Sequence, residues 1–515
     1  MAVLVLTGMW WLVRQIAGRQ WAAAAVWAVV VMPAAARVYS MAVSEALAAM
    51  FFIWAVALLA TPQPSRWRLL ISGLLVGILT MTRVNMAAAW LVLGLFAIWQ
   101  WRRRSLWFWI PSLVVVLGLH ALYWPRIMWL WARWLPDFVP VPAAFSPPLH
   151  DTAATYRVSP AIWARVRALW QAVQAFPLAW AGLWVGTTAV FVAQKRNNFH
   201  YRFLMMGTFL AWLLVLLHGW ASIGGSYCVN CLTFYTGFYM PVLVALICIG
   251  LWTPWSPERT KEAGLFWLVG LIFFVSAALV NISIFITTVS RAFASYHWLS
   301  ARLLALLYWP QIHFFPDLPP MDAGRVFWGL VLLIASLIVV SVMWFLRRPR
   351  RLFAPGQKTV WLASLVILAL LSPLTLFSGS WTPYDCSQDV LAVHENTAVA
   401  LAQLLPPGTQ VYWASYFGTL LLRTEDIILM PQQLNDDYNR RQGGDADALA
   451  SWGYWNQALA EQWMRSADVI VTDAVRLERL PLDYRALGFE PVQTFSFLAS
   501  CAGDQGKLII LKRVP

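Results

Sequence analysis

Val38-Tyr39-Ser40-Met41-Ala42-Val43-Ser44-Glu45-Ala46-Leu47-Ala48-Ala49 joins two apolar runs of this chain. Residues 1–378 contain only seven Asp or Glu. Glu258 and Glu262 fall in a basic loop, and Asp137, Asp151, Asp317 and Asp322 in long loops rich in Pro and aromatic residues. Glu45 alone sits at a tight junction between apolar runs. A carboxylate at or inside a bilayer is costly to keep, so by default it marks a functional site.

Outward from this joint, composition sets the class. Of 515 residues, 60% are hydrophobic and 12% charged, and the mean hydropathy is +0.63. Repeated apolar runs approaching bilayer-crossing length read as a polytopic membrane protein. The net charge of +14 raises the question of nucleic acid, but its distribution excludes that reading. Residues 1–378 carry 27 Lys and Arg against seven Asp and Glu, whereas residues 379–515 carry 10 against 16. The positive charge lies in short loops between apolar runs, which is the positive-inside pattern.

The basic loops are Arg14–Arg19, Arg66–Arg68, Arg102–Arg104, Lys195–Arg202, Arg259–Lys261, Arg347–Arg351 and Lys358. Between them the expected spans are 1–13, 21–36, 46–61, 69–82, 86–101, 106–124, 178–195, 203–221, 232–252, 264–288, 326–346 and 358–376. With the basic loops in the cytoplasm, Glu45, the Thr82-Arg83-Val84-Asn85 turn and residues 379–515 fall outside. Several early spans have near 15 residues, short of the roughly 20 needed to cross, and are expected to tilt or to be shielded by neighbours. The apolar run at Met1 precedes its positive charge, the reverse of a signal peptide. It reads as the end of a longer span whose start would precede Met1.

From about Ser380 the chain turns polar and periodic. Helices are expected at Asp389–Leu405, before Pro406-Pro407-Gly408, and at Asp447–Arg465; strands are expected at Thr409–Ala414, Ile427–Met430, Asp468–Thr472, Val492–Phe497 and Lys507–Lys512. Alternating helices and strands predict a small α/β domain. The fold class is thus a polytopic α-helical membrane protein of about twelve transmembrane helices, residues 1–378, followed by a C-terminal extracytoplasmic α/β domain, residues 379–515. Cys386 and Cys501 flank that domain and are placed for a disulfide in an oxidising space. Cys228 and Cys231 form a Cys-x-x-Cys without the second pair a zinc site usually needs, and Cys248 reads as packing.

Pro33, Tyr39, Ser40, Ser44, Glu45 and Leu47, followed by Gly73, Gly77, Thr82 and Arg83, resemble the core of GT-C glycosyltransferases, membrane enzymes of the dolichyl-phosphate-mannose mannosyltransferase and aminoarabinose transferase kind. The match is specific over about residues 20–100 and architectural beyond. It implies transfer of a sugar, mannose-like or another hexose or pentose, from a polyprenyl-phosphate donor to a hydroxyl of an acceptor glycan, lipid or protein at the outer face of the cell membrane. Such a reaction needs a carboxylate to take the proton, positive charge on the leaving phosphate and a groove for the lipid. By the resemblance, the base belongs to a first outer loop, which here would precede Met1. Glu45 is then the second, catalytic-site carboxylate, shaping the site or holding a divalent metal ion.

Arg83, Arg37, Tyr39 and Asn85 are the candidates for binding the donor phosphate or sugar. A guanidinium suits a phosphate, although Arg83 also reads as a snorkelling span-end residue, Glu45 as a first-turn helix carboxylate, and Tyr39 and Asn85 as interface anchor and turn cap. His218 reads as structural. Tyr235 and Tyr239 precede Pro241 where related enzymes commonly carry an Arg-Tyr pair. The stretches Tyr156–Phe176 and Ser290–Tyr308 read as surface helices. The alternative function is a non-catalytic relative, or a flippase or polymerase of lipid-linked glycans. A transporter would be expected to show half-repeats or charges deep in spans, and the sequence has neither.

Overall fold

The computed structural model describes residues 1–30, 44–132, 176–194, 198–221, 237–256, 390–415, 418–431, 440–498 and 505–514, with single positions between them, among them Met32, Ala35, Val38 and Tyr39. Apart from Gly270 and Phe327, the expected spans at 264–288, 326–346 and 358–376 lie outside the described residues, as do all four cysteines outside the span that holds Cys248, and Tyr235. So do most of Tyr156–Phe176 and Ser290–Tyr308. The chain divides into two compact units, one of residues 1–123 with 158–380 and one of residues 124–157 with 381–515.

The described part of the first unit is helical: α1 Ala2–Ala17, α2 Arg19–Val30, α3 Ser44–Leu59, α4 Arg66–Thr82, α5 Ala87–Trp101, α6 Leu106–Leu122, then α8 Pro177–Val192, α9 Phe199–Ala221 and α10 Met240–Trp252. The short helix α7, Met128–Ala132, belongs to the second unit. Punctuation follows the sequence. Gly18 ends α1 with φ +91°, a conformation open to glycine. Ser65 caps α4 by accepting from the Arg68 N–H. The early helices are short as expected: α1 and α3 have 16 residues and α5 has 15. Helical stretches long and apolar enough to cross a membrane are Val84–Leu122, which takes in α5 and α6 with the Arg102–Ser105 turn between them, and Phe199–Leu217.

Close approach is built from small residues. A Cβ on Gly73 would fall on the carbonyl oxygen of Phe108, and one on Gly77 would come 3.0 Å from the carbonyl oxygen of Ser112. The Gly-x-x-x-Gly face of α4 therefore lies backbone to backbone against α6, the packing expected where lipid supplies no hydrophobic drive between helices. Away from these contacts the side chains point outward and are apolar: Leu91, Leu95 and Ile98 of α5, and Ile110, Val114 and Leu117 of α6, are exposed. Such a face is unfavourable in water and matches lipid. The described helices of the first unit thus form a bundle whose exposed faces suit lipid.

The helix ends sort by charge. At one end Arg68 donates to Gln15 Oε1 at 2.9 Å, and Gln15 donates to the Ala57 carbonyl at 2.9 Å. There too Trp101 donates to the Pro62 carbonyl at 2.9 Å, and Arg202 lies over the ring of Trp99. The Arg14, Arg66–Arg68 and Arg102–Arg104 segments share this end. The first turn of α3, the last of α4 and the head of α10 lie at the other.

The second unit holds a five-stranded mixed sheet in the order β2-β1-β5-β7-β6, with β1 Gln410–Trp413, β2 Ile428–Met430, β5 Val469–Asp473, β6 Phe489–Leu498 and β7 Gln505–Arg513. β1 runs parallel to β2 and β5, while β7 is antiparallel to β5 and β6. Side chains alternate between faces. Val411, Trp413, Val469, Val471, Leu508 and Ile510 pack with Leu401 of α11, Val390–Leu404; Tyr412, Ile470 and Leu511 pack on the opposite face with Met464 and Phe489.

One expectation is corrected here. The helix expected over Asp447–Arg465 is two helices, α12 Ala446–Ser451 and α13 Gln457–Ser466, with the strand β4 Trp455–Asn456 between them, paired to β3 Arg440–Arg441. Gly453 turns the chain at φ +76°, and Asn456 restarts the helix by accepting from the Leu459 N–H at 3.0 Å. A last short helix, α14 Ala474–Leu477, follows β5. The segment after α6 joins this unit: Trp129 donates to the Tyr454 hydroxyl at 3.1 Å, and the Arg126 guanidinium lies 5.7 Å from the Trp452 ring.

Candidate functional site

Glu45 occupies the first turn of α3, followed by an unbroken apolar sequence through Leu59. Burial of that sequence carries Glu45 with it, and it is 3% exposed. Arg83 ends α4. Its backbone is extended (φ −145°, ψ +108°), its N–H reaches the Leu79 carbonyl at 2.9 Å, and its carbonyl accepts from the Met86 N–H at 2.8 Å. Arg83 is therefore the joint between α4 and the single 3₁₀ turn Val84–Met86 that leads into α5.

At that joint the Arg83 guanidinium forms an ion pair with Glu45 Oε1. The Ser44 hydroxyl sits between the two, accepting from Arg83 Nη2 at 3.3 Å and donating to Glu45 Oε2 at 3.2 Å. The guanidinium carbon lies 5.4 Å from the ring centre of Phe238. The Arg83 side chain keeps 17% of its surface accessible against 4% for Glu45. Glu45 is the only acid in residues 1–136, so it is the one carboxylate that this stretch offers its own arginines.

The head of α10 completes the cluster. Phe238 and Tyr239 are fully buried and meet edge to face, as do Tyr239 and Trp180. The Tyr39 hydroxyl donates to the Gly237 carbonyl at 2.9 Å. A Cβ on Gly237 would come 2.8 Å from Val38, so the connector before α3 closes directly on this turn.

Of the residues singled out in sequence, the structure brings Glu45 and Arg83 into contact and places Tyr39 against the same α10 head. Asn85 lies half-buried in the 3₁₀ turn beside Arg83. Arg37 lies outside the described residues. His218 lies in α9. Two contributors went unsingled, Phe238 and Gly237. No local signal points to them, because Gly237 follows Tyr39 by 198 residues; the aromatic pair before Pro241 is their only mark.

A guanidinium held at a helix end, partly accessible and lying against the Phe238 ring, suits a phosphate group. A divalent metal fits Glu45 poorly. Arg83 and Ser44 already engage its two oxygens, and a guanidinium in contact with the carboxylate repels a second cation. Among the described residues no group of three or more His, Cys, Asp or Glu is arranged to hold an ion.

No protein-family model matches the sequence, and no curated protein matches it. Solved structures similar to this chain include the crystal structure of ArnT from Cupriavidus metallidurans bound to undecaprenyl phosphate, with a TM-score of 0.47 and 15% identity over 99% of this chain and 82% of that one. ArnT from the same organism in the apo state gives a TM-score of 0.47 and 14% identity over the same shares.

Proposed function

We propose that the chain is a GT-C-like membrane glycosyltransferase that uses a polyprenyl-phosphate-linked sugar as donor. The reading rests on the motif over residues 33–83 together with one geometric observation. The two charged residues of that motif, Glu45 and Arg83, form a part-buried ion pair at the helix ends opposite the basic loops. The positive-inside rule makes that the outer face, and it assigns residues 379–515 to the outside as well. In the reaction, the acceptor oxygen bonds to the anomeric carbon and the bond from that carbon to the lipid-phosphate oxygen breaks. The phosphate leaves with the electron pair beside the Arg83 guanidinium, and a carboxylate of the outer face takes the hydroxyl proton.

The test is transfer by the full-length protein in proteoliposomes charged with radiolabelled polyprenyl-phosphate mannose or aminoarabinose, followed by chromatography of the released polyprenyl phosphate. Release with labelling of an acceptor is expected, together with its loss in Arg83→Ala. Neither release nor binding of polyprenyl phosphate by the wild-type protein would overturn the proposal.

A further inference from the structure

We infer that Glu45 acts through Arg83: it is a positioning residue for the guanidinium and not the group that accepts the acceptor's proton. The inference rests on the polyprenyl-phosphate reading above and assigns roles within that site. A general base must present a lone pair to the hydroxyl at hydrogen-bond distance in the reacting complex. Both oxygens of Glu45 are engaged by protein donors instead, Oε1 by Arg83 and Oε2 by the hydroxyl of the exposed Ser44 at 3.2 Å. Protonating Glu45 would discharge the ion pair at a position that is 3% exposed, where water replaces little of the lost interaction.

The guanidinium, in contrast, is the partly accessible member of the pair. An arginine side chain is long and loses much rotamer freedom when ordered, so a phosphate-binding arginine gains from being held before the ligand arrives. Among the described residues, Glu45 and Ser44 of α3 engage its Nη2, and Phe238 at the α10 head lies against it. Phe238 thereby becomes a second positioning residue.

The decisive measurement is the affinity of the full-length protein in nanodiscs for polyprenyl phosphate, by native mass spectrometry or tryptophan quenching, set beside transfer kinetics for the same variants. Positioning predicts that Glu45→Gln weakens polyprenyl-phosphate binding about tenfold or more, a size typical of a charged hydrogen bond. It also predicts that Arg83→Ala added to Glu45→Gln weakens binding little further, and that Glu45→Asp recovers part of the loss. A general-base role predicts unchanged binding in Glu45→Gln with kcat reduced and the acid limb of the pH profile gone; that result overturns the inference and leaves the glycosyltransferase reading standing. Failure of the wild-type protein to bind polyprenyl phosphate overturns both. Should Glu45→Gln not fold, Ser44→Ala and Phe238→Leu carry the test: weaker binding with unchanged thermal unfolding supports positioning, and unchanged binding in both removes it.

Discussion

The hydroxyl of Tyr39 donates to the carbonyl of Gly237 at 2.9 Å, joining two points 198 residues apart in the chain. Both groups are buried, so the bond has no competitor in water, and it ties the connector before α3 to the turn that carries Phe238. Tyr39→Phe leaves that carbonyl without its donor, which costs about 1–3 kcal/mol. The expected outcome is a lower unfolding temperature in detergent with polyprenyl-phosphate affinity reduced only a few-fold. A variant as stable as wild type would show that the bond contributes nothing.

The contact of Gly73 with the Phe108 backbone makes a prediction about packing. A methyl at Gly73 forces α4 and α6 apart, and overpacking of this kind costs about 1–3 kcal/mol or more. A Cβ on Gly118 of α6 would meet nothing within 4 Å, so that position serves as the control. Gly73→Ala should lower the thermal midpoint of the purified protein, while Gly118→Ala should leave it unchanged or raise it slightly.

Sidedness follows from the sorting of charge at the helix ends. In a cysteine-free background, Asn85→Cys is expected to react with an impermeant maleimide added outside the cell, and Arg103→Cys only after the membrane is opened. The reverse pattern would invert the topology and place the Glu45–Arg83 pair on the cytoplasmic side.

In the second unit, Gly453 at φ +76° and the Asn456 cap divide what would otherwise be one helix. Gly453→Ala is expected to destabilise this unit by about 1 kcal/mol, and Asn456→Ala by a similar amount, about 1 kcal/mol. Hydrogen exchange over 446–466 in the full-length protein would register both.

Trp129 and Tyr454 make the last prediction. Their hydrogen bond and the Arg126–Trp452 contact fasten the segment after α6 to the second unit. Trp129→Ala should speed tryptic cleavage after Arg126, measured against the wild-type protein under the same conditions. Equal cleavage rates would show that the segment is held by other means.

The short early helices, the basic and non-basic ends and the five strands of the larger C-terminal sheet were legible in the sequence, because each depends on local pattern, whereas the two-residue strands β3 and β4 were not. A run of apolar residues, a loop of arginines or a two-residue alternation carries its own physical reason. The single helix expected over 447–465 failed for a local reason as well: apolar periodicity outweighed one glycine whose positive φ breaks the helix. The candidate site was half legible. Glu45 and Arg83 stood out as rare charges at span ends, but the partner that covers Arg83 did not, since Phe238 is one aromatic among many.

By itself, the sequence determined that this chain is built of apolar helices with charge sorted to one end, and that one carboxylate stands apart among the first 136 residues. Hydrophobicity and charge are properties of each residue and act wherever the residue lies. Only the tertiary structure decided what Glu45 does with its two oxygens. That depends on close packing, which brings the end of α4 and the head of α10 to the first turn of α3 and presents the carboxylate with a guanidinium beside the hydroxyl of its own neighbour, Ser44.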